Sequence, residues 1–234
     1  SLNLPSMDLS LRGKTAVVCG STQGIGLATA IELSALGARC ILMARNEESL
    51  VEAVKQLHPA LLEPHGYLVA DFDRPETVQA AIASFVQNNP VHILVNNSGG
   101  PAGGPITEAS EEAFLQTFNR HLICNHLLVK AVMPSMQSEG YGRIINIIST
   151  SVKVPLPNLG VSNTIRGAVA SWSKTMANEL GRYQITVNNV LPGATSTRRL
   201  QSIIENNAAK KQAAVSAVEE EMKKEIPMRR FADA

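Results

Sequence analysis

Six short runs of β-branched and aliphatic residues punctuate this chain: TAVVC (15–19), RCILM (39–43), GYLVA (66–70), VHILV (91–95), RIINII (143–148) and ITVNNV (185–190). Between them, apolar residues recur at helical spacing over 25–37, 47–57, 75–88, 108–137 and 162–182. Near-continuous apolar runs suit strands buried on both faces, and a helix between successive strands suits parallel neighbours. The alternation therefore predicts an α/β fold, a doubly wound parallel sheet with helices on both faces and right-handed crossovers. Aromatics make up only 4% of the 234 residues, so the core has to be aliphatic. No repeat, low-complexity stretch or linker interrupts the pattern, and residues 1–234 read as one domain. Residues 198–225, RRLQSIIENNAAKKQAAVSAVEEEMKKE, break the alternation and look too polar for core. They read either as a surface helix pair or as a lid over a cleft.

Charge narrows the function classes. The formal net charge is +1, with no basic or acidic block to attract nucleic acid or an anionic membrane. No apolar run is long enough for a membrane span, and the opening SLNLPSMDLS lacks the charged and apolar regions of a signal peptide. Cys19, Cys40 and Cys124 are odd in number and widely spaced, which suits reduced thiols in a cytoplasmic protein better than a disulfide framework. His121 and His126 are five apart, not the four of a helical ligand pair, so no metal site is expected.

The first strand runs into VVCGSTQGIGLATA, where Gly20, Gly24 and Gly26 stand between strand and helix with the spacing G-x-x-x-G-x-G. Glycines let the backbone turn tightly and approach a pyrophosphate, whose charge a helix N-terminus favours. This spacing resembles the short-chain dehydrogenase/reductase family. NNSGG (96–100) is similar to that family's Asn-Asn-Ala-Gly signature, GRIINIIST (142–150) to its fifth strand, and NNVLPGATST (188–197) to its Pro-Gly motif with a downstream threonine. The resemblance spans essentially the whole chain. It implies NAD(H) or NADP(H) bound along the C-terminal ends of the strands. Gly20, Ser21, Gly24, Ile25 and Gly26 would line the cofactor, as would Gly99, Pro192 and Gly193. Asp71 would lie by the adenine, Asn97 by the adenine-side ribose and Thr197 by the nicotinamide carboxamide. After the second strand, Ala44 and Arg45 stand where a bare ribose would be met by an acid, so the expected cofactor is NADP(H) rather than NAD(H). The bland reading of Arg45 is an exposed surface arginine.

The family handles the proton with a Ser-Tyr-Lys trio helped by an asparagine. Here the spacing from Ser149 reaches Ser162 and then Arg166, so tyrosine and lysine are both replaced. His121 falls where the asparagine would stand, although Asn119 is close enough for the alignment to slip. A tyrosine of pKa about 10 needs roughly 4 kcal/mol of help to titrate near neutrality. An alkyl hydroxyl, near water's value of about 15.7, needs about 12 kcal/mol. Ser162 therefore cannot act as the general acid, and Arg166 keeps a cation without releasing a proton.

Two other groups are candidates. Lys153 follows Ser149 in a Pro-pinned rim loop and would serve if burial lowered its pKa; otherwise it is a solvated loop lysine. His121 would serve if it titrates near neutral pH; otherwise it is a satisfied helix histidine. Ser149 and Ser162 would hold a substrate carbonyl, unless Ser162 with Asn163 only caps the helix. Tyr141 and Tyr183 precede strands, away from the expected cleft. The wording Lys-x-Pro…Ser-Asn…Arg also resembles a divergent branch of the same family whose members are labelled oxidoreductases.

The leading expectation is an NADP(H)-dependent oxidoreductase acting on a small carbonyl or alcohol substrate through a substituted site. The alternative is a nucleotide-binding sensor or partner subunit with little turnover. The resemblance also implies a homo-oligomer, dimer or tetramer, with Trp172 a candidate contact. The chain ends at IPMRRFADA, where family members continue through a further helix and a seventh strand.

Overall fold

The computed structural model describes residues 7–234. Strands and helices alternate through β1 (Thr15–Cys19), α1 (Gly24–Ala35), β2 (Arg39–Ala44), α2 (Glu47–Val54), β3 (Gly66–Val69), α3 (Pro75–Val86) and β4 (Ile93–Asn96). There follow α4 (Glu111–Phe118), α5 (Cys124–Glu139), β5 (Gly142–Ile147), α6 (Gly160–Leu180), β6 (Ile185–Val190), α7 (Arg198–Lys211) and α8 (Val215–Lys224). All strand pairs are parallel, in the order β3-β2-β1-β4-β5-β6. The sheet is thus doubly wound, with its order reversing between β1 and β4. At such a switch point neighbouring connections leave in opposite directions and open a crevice at the C-terminal strand ends.

Strand alternation sorts the core into two layers. Val17, Cys19, Ile41 and Met43 face Val78 and Ile82 of α3 and Leu128, Val132 and Met136 of α5. Ala16, Val18, Cys40 and Leu42 face Ala30 of α1 and Leu50 and Ala53 of α2. Each fully buried large aliphatic contributes about 1.5–3 kcal/mol, enough to hold every helix to its face. Across β4, β5 and β6 the register aligns Asn96, Asn146 and Asn189. Asn96 Nδ2 donates to Asn146 Oδ1 at 2.8 Å, and Asn146 Nδ2 donates to Asn189 Oδ1 at 3.1 Å and to Ser173 Oγ at 3.2 Å. This buried ladder ties the C-terminal half of the sheet to α6.

The stretch expected as one helix over 108–137 is three pieces. A 3₁₀ turn (Ile106–Glu108) precedes α4, and a π turn (Asn119–Ile123) joins α4 to α5. The Cys124 amide donates to Asn119, one residue further back than in an α-helix. Apolar spacing does not register one widened turn.

The helix expected from residue 162 begins at Gly160, because a Cβ at Gly160 would overlap Ile106 and only glycine admits that contact. Ser162 and Asn163 therefore do not cap it. Both lie within the first turn, Leu159 takes the cap position, and Asn163 Nδ2 donates to the Leu156 carbonyl at 2.9 Å. The polar stretch 198–225 forms the α7–α8 pair around its own small cluster of Leu200, Ile204, Ala208 and Val218, with Phe231 packed alongside. No described helix is long and apolar enough to cross a membrane.

Candidate functional site

The turn after β1 is built by backbone crowding. Gly20 and Gly24 have positive φ of 57° and 54°. A Cβ on Gly26 would overlap the Gly20 carbonyl oxygen, and one on Gly20 would lie 2.7 Å from the Asn97 carbonyl. Asn97 Nδ2 clamps the turn by donating to Gly20 at 3.1 Å and Cys19 at 3.3 Å. Ser21 is buried, and its hydroxyl accepts from the Met43 amide at 3.2 Å, fastening the turn to β2. Its side chain is therefore used within the fold. Ile25 packs inward against the β1–β2 layer.

α1 starts at Gln23 with no side-chain cap and no acid in its first turn. Its leading amides are left for an anion, which the helix dipole favours there. Thr197 stands on the opposite wall, its methyl 3.2 Å from where a Gly24 Cβ would lie. Its hydroxyl donates to the Thr195 carbonyl at 3.2 Å and accepts from the Leu200 amide at 3.3 Å, capping α7. These residues fit the phosphates and nicotinamide end of a dinucleotide: a turn that only glycine permits, an uncapped helix start and a facing hydroxyl.

Arg45 directly follows the end of β2 and is exposed, and β2 itself ends on Ala44 rather than an acid. Asp71, just past β3, accepts from the Asp73 amide at 3.0 Å through Oδ1. Gly99 is exposed on the loop after β4, and its carbonyl accepts from Arg120 Nη1 at 3.3 Å. The Pro192 carbonyl accepts from the Thr150 amide at 3.2 Å, joining the loops after β5 and β6, and Gly193 is exposed beside it.

The other half of the crevice gathers unusual groups. The Ser149 hydroxyl accepts from the Ser151 amide at 3.0 Å, capping a 3₁₀ turn (Thr150–Val152). Ser162 is half-buried one turn before Arg166, whose Nη1 donates to the Ile147 carbonyl at the end of β5 at 2.9 Å. Burial, with Arg199 nearby, pulls the Arg166 pKa down to about 10, so it remains a cation at neutral pH.

His121, 1% exposed inside the π turn, has Nδ1 2.7 Å from Ser98 Oγ and no partner for Nε2. Burial first, then Arg166, Arg120 and Arg199, hold it well below the usual histidine range. The expectation that His121 titrates near neutral pH is therefore corrected: three neighbouring cations and a dry surrounding keep it neutral. Lys153 ends the 3₁₀ turn exposed, not buried as a proton-donating role required. Tyr141 lies between Lys14 and Arg143 at the N-terminal end of β5, and Tyr183 precedes β6, both far from the crevice.

Three groups escaped sequence reasoning. Ser98, in NNSGG, replaces the alanine of the similar motif and meets His121. Arg199, in TRRL, packs its guanidinium about 3.2 Å from a Cβ position on Gly100. Arg120 reaches Asp73 from the π turn. The serine-for-alanine exchange and the arginine pair were visible signals; the turn that gathers them was not.

A doubly wound sheet with a glycine turn at its switch point, and polar side chains massed on the neighbouring strand ends, defines a dinucleotide-binding oxidoreductase. Residues 14–208 match the family model described as short chain dehydrogenase, and the chain belongs to that family. It is 35% identical over 221 residues to the granaticin polyketide synthase putative ketoacyl reductase 1 of Streptomyces violaceoruber, covering 93% of this chain and 81% of that protein. Its structure is similar to the L-sorbose reductase of Gluconobacter frateurii complexed with NADPH and L-sorbose, with a TM-score of 0.88 at 29% identity, covering 97% of this chain and 87% of the other. It also resembles an actinorhodin polyketide ketoreductase with NADPH, with a TM-score of 0.86 at 30% identity, covering 94% and 85%.

Proposed function

We propose that this chain is an NADP(H)-dependent oxidoreductase that interconverts a small carbonyl compound and its alcohol through an altered proton-handling site. One observation carries the reading: the glycine turn of Gly20, Gly24 and Gly26, clamped by Asn97, and the Ser149–Arg166 group at the end of β5 share the C-terminal edge of one parallel sheet. Arg45 would meet the 2′-phosphate, and Asp71, Asn97, Gly99, Pro192, Gly193 and Thr197 the rest of the dinucleotide. When bound, NADPH supplies the hydride. Ser149 and Ser162 hold the substrate oxygen by donating hydrogen bonds, and Arg166 supplies positive charge beside it. Lys153, exposed on the rim, would deliver the proton to that oxygen only if bound cofactor and substrate bury it.

The α7–α8 pair follows Thr197 directly and would act as the lid over the crevice, within a single domain. The three buried free thiols suit a reducing, cytoplasmic compartment. A homo-oligomer, dimer or tetramer, completes the proposal and is read by light scattering.

One observation favours the second reading, a nucleotide-binding sensor or partner subunit: His121, the innermost imidazole of the wall, is held neutral. Fluorescence titration with NADPH and NADH, followed by nicotinamide oxidation across a ketone and quinone panel, separates the two. Preferential NADPH binding that is lost in Arg45→Asp, with turnover abolished in Lys153→Ala, supports the enzyme. Binding with no turnover on any substrate supports the sensor. No binding of either nucleotide sinks both.

A further inference from the structure

The catalytic wall carries more positive charge than the fold neutralises. Arg120 is paired with Asp73, but among the described residues neither Arg166 nor Arg199 forms an ion pair with an acid. Arg166 has one hydrogen bond, to a backbone carbonyl, so most of its five donors are unused. Arg199 is partly buried over Gly100, where repulsion from Arg120 adds to its desolvation in lowering its pKa. Every charge acting on His121 is positive.

The secondary structure does not account for this either. The first turn of α7 carries Arg198 and Arg199 and no acid, the reverse of what a helix N-terminus favours. A second feature points the same way. His121 is almost fully buried, its Nδ1 is used by Ser98, and its Nε2 has no protein partner. Buried polar atoms are ordinarily satisfied, so this nitrogen is left for a group that the described chain does not supply.

We propose that the Arg166–Arg199–His121 wall binds the carboxylate of an anionic carbonyl substrate, so that the natural substrate is a small oxo acid rather than a neutral ketone or sugar. Two guanidiniums without acidic partners offer the planar fork that matches a carboxylate. Arg166 stands one turn past Ser162 and is tied to the end of β5, and Arg199 is near enough to lower its pKa. Arg199 also follows Thr197, which faces Gly24, by two residues, so the cofactor's pyrophosphate is the competing anion that the test separates. The inference rests on the oxidoreductase reading for the carbonyl but not for the anion.

The test uses a matched pair, benzoylformate and its methyl ester, which differ in the charge and by one methyl group. Calorimetric titration of the NADPH-loaded protein, and of the protein alone, is expected to show the acid binding at least tenfold tighter than the ester. Arg199→Ala should reduce that preference to about twofold or less, and Arg199→Lys should restore part of it. A separate NADPH titration of each variant reports whether it is folded. Equal binding of acid and ester, binding of neither, or a preference that survives Arg199→Ala overturns the proposal. So does a variant that loses NADPH affinity while keeping the preference, since the arginine then serves the cofactor's pyrophosphate. If wild-type protein takes no NADPH but the protein alone still prefers the acid through Arg199, the oxidoreductase reading fails and the anion site stands.

Discussion

Ser98 Oγ and His121 Nδ1 stand 2.7 Å apart, one on the loop leaving β4 and the other inside the π turn. Ser98 stands where the similar Asn-Asn-Ala-Gly pattern has alanine. We propose that His121 takes the place of the family's asparagine, which would make the two departures partners. A serine hydroxyl fixes the imidazole through Nδ1, and the widened turn has the breadth to hold the ring between α3, α6 and the β4 loop.

The burial of His121, with Arg166, Arg120 and Arg199 near it, makes folding pH-dependent. The folded pKa of His121 is depressed, so the unfolded chain binds a proton that the folded chain refuses once pH falls below the unfolded value of about 6.5. Stability is unaffected well above pH 7 and falls as the pH drops through 6.5. Between pH 7.5 and pH 5.5 the loss from this one group is about 1 kcal/mol. Urea unfolding of wild type and His121→Asn at both pH values reads it. The variant should show a correspondingly smaller loss, and an equal loss in both proteins counts against the buried neutral histidine.

The thiols should be inert in the native protein. Burial pushes Cys40 and Cys124 up to about 12 and raises Cys19 as well, with Cys124 adding to the rise at Cys19. At pH 8 their thiolate fraction is then on the order of one in ten thousand, and the thiolate is the reactive form. A disulfide exchange reagent should titrate no thiol quickly in buffer and all three in denaturant. A fast native reaction would mean that one of them is exposed.

The fold was legible because its signals are periodic. Apolar runs such as TAVVC and ITVNNV became β1 and β6, and the glycine spacing marked the turn at the switch point. The glycine turn was legible for the same reason, since Gly20 and Gly26 are demanded by backbone overlap that no side chain can relieve. The surroundings of His121 were not. They depend on burial and on charges from Arg166 of α6 and Arg199 of α7, far away in sequence. The start of α6 was misplaced for a similar reason: Gly160 is set by contact with Ile106, not by a local cap.

Two glycine substitutions should move in opposite directions. Gly26→Ala forces a methyl into the Gly20 carbonyl and within 2.8 Å of Asn97 Nδ2. It should cost about 2–4 kcal/mol or open the turn, weakening NADPH binding at least tenfold. Gly167 lies inside α6 with open space at its Cβ, so Gly167→Ala should raise stability by about 0.5–1 kcal/mol. Thermal unfolding and NADPH titration of both variants check this. A harmless Gly26→Ala would show that the crowding at the turn is not rigid.

The asparagine ladder makes the last prediction, because it couples the core to the site. Asn146 is fully buried, its amide spanning from Asn96 on β4 to Asn189 on β6 and Ser173 on α6. Asn96 Oδ1 already lacks a partner, so Asn146→Leu leaves that whole amide unsatisfied. An unsatisfied buried amide costs about 1–3 kcal/mol beyond the lost bond itself, so the single variant should lose about 3 kcal/mol. Asn96→Leu added to it removes the stranded partner, and the double variant should be about 1 kcal/mol more stable than Asn146→Leu alone. Because Asn96 precedes Asn97, and Asn146 lies three residues before Ser149, a loosened ladder should also weaken NADPH binding in the single variant. Additive losses in urea unfolding would mean that the two amides are not coupled, and that the strand ends are positioned by packing instead.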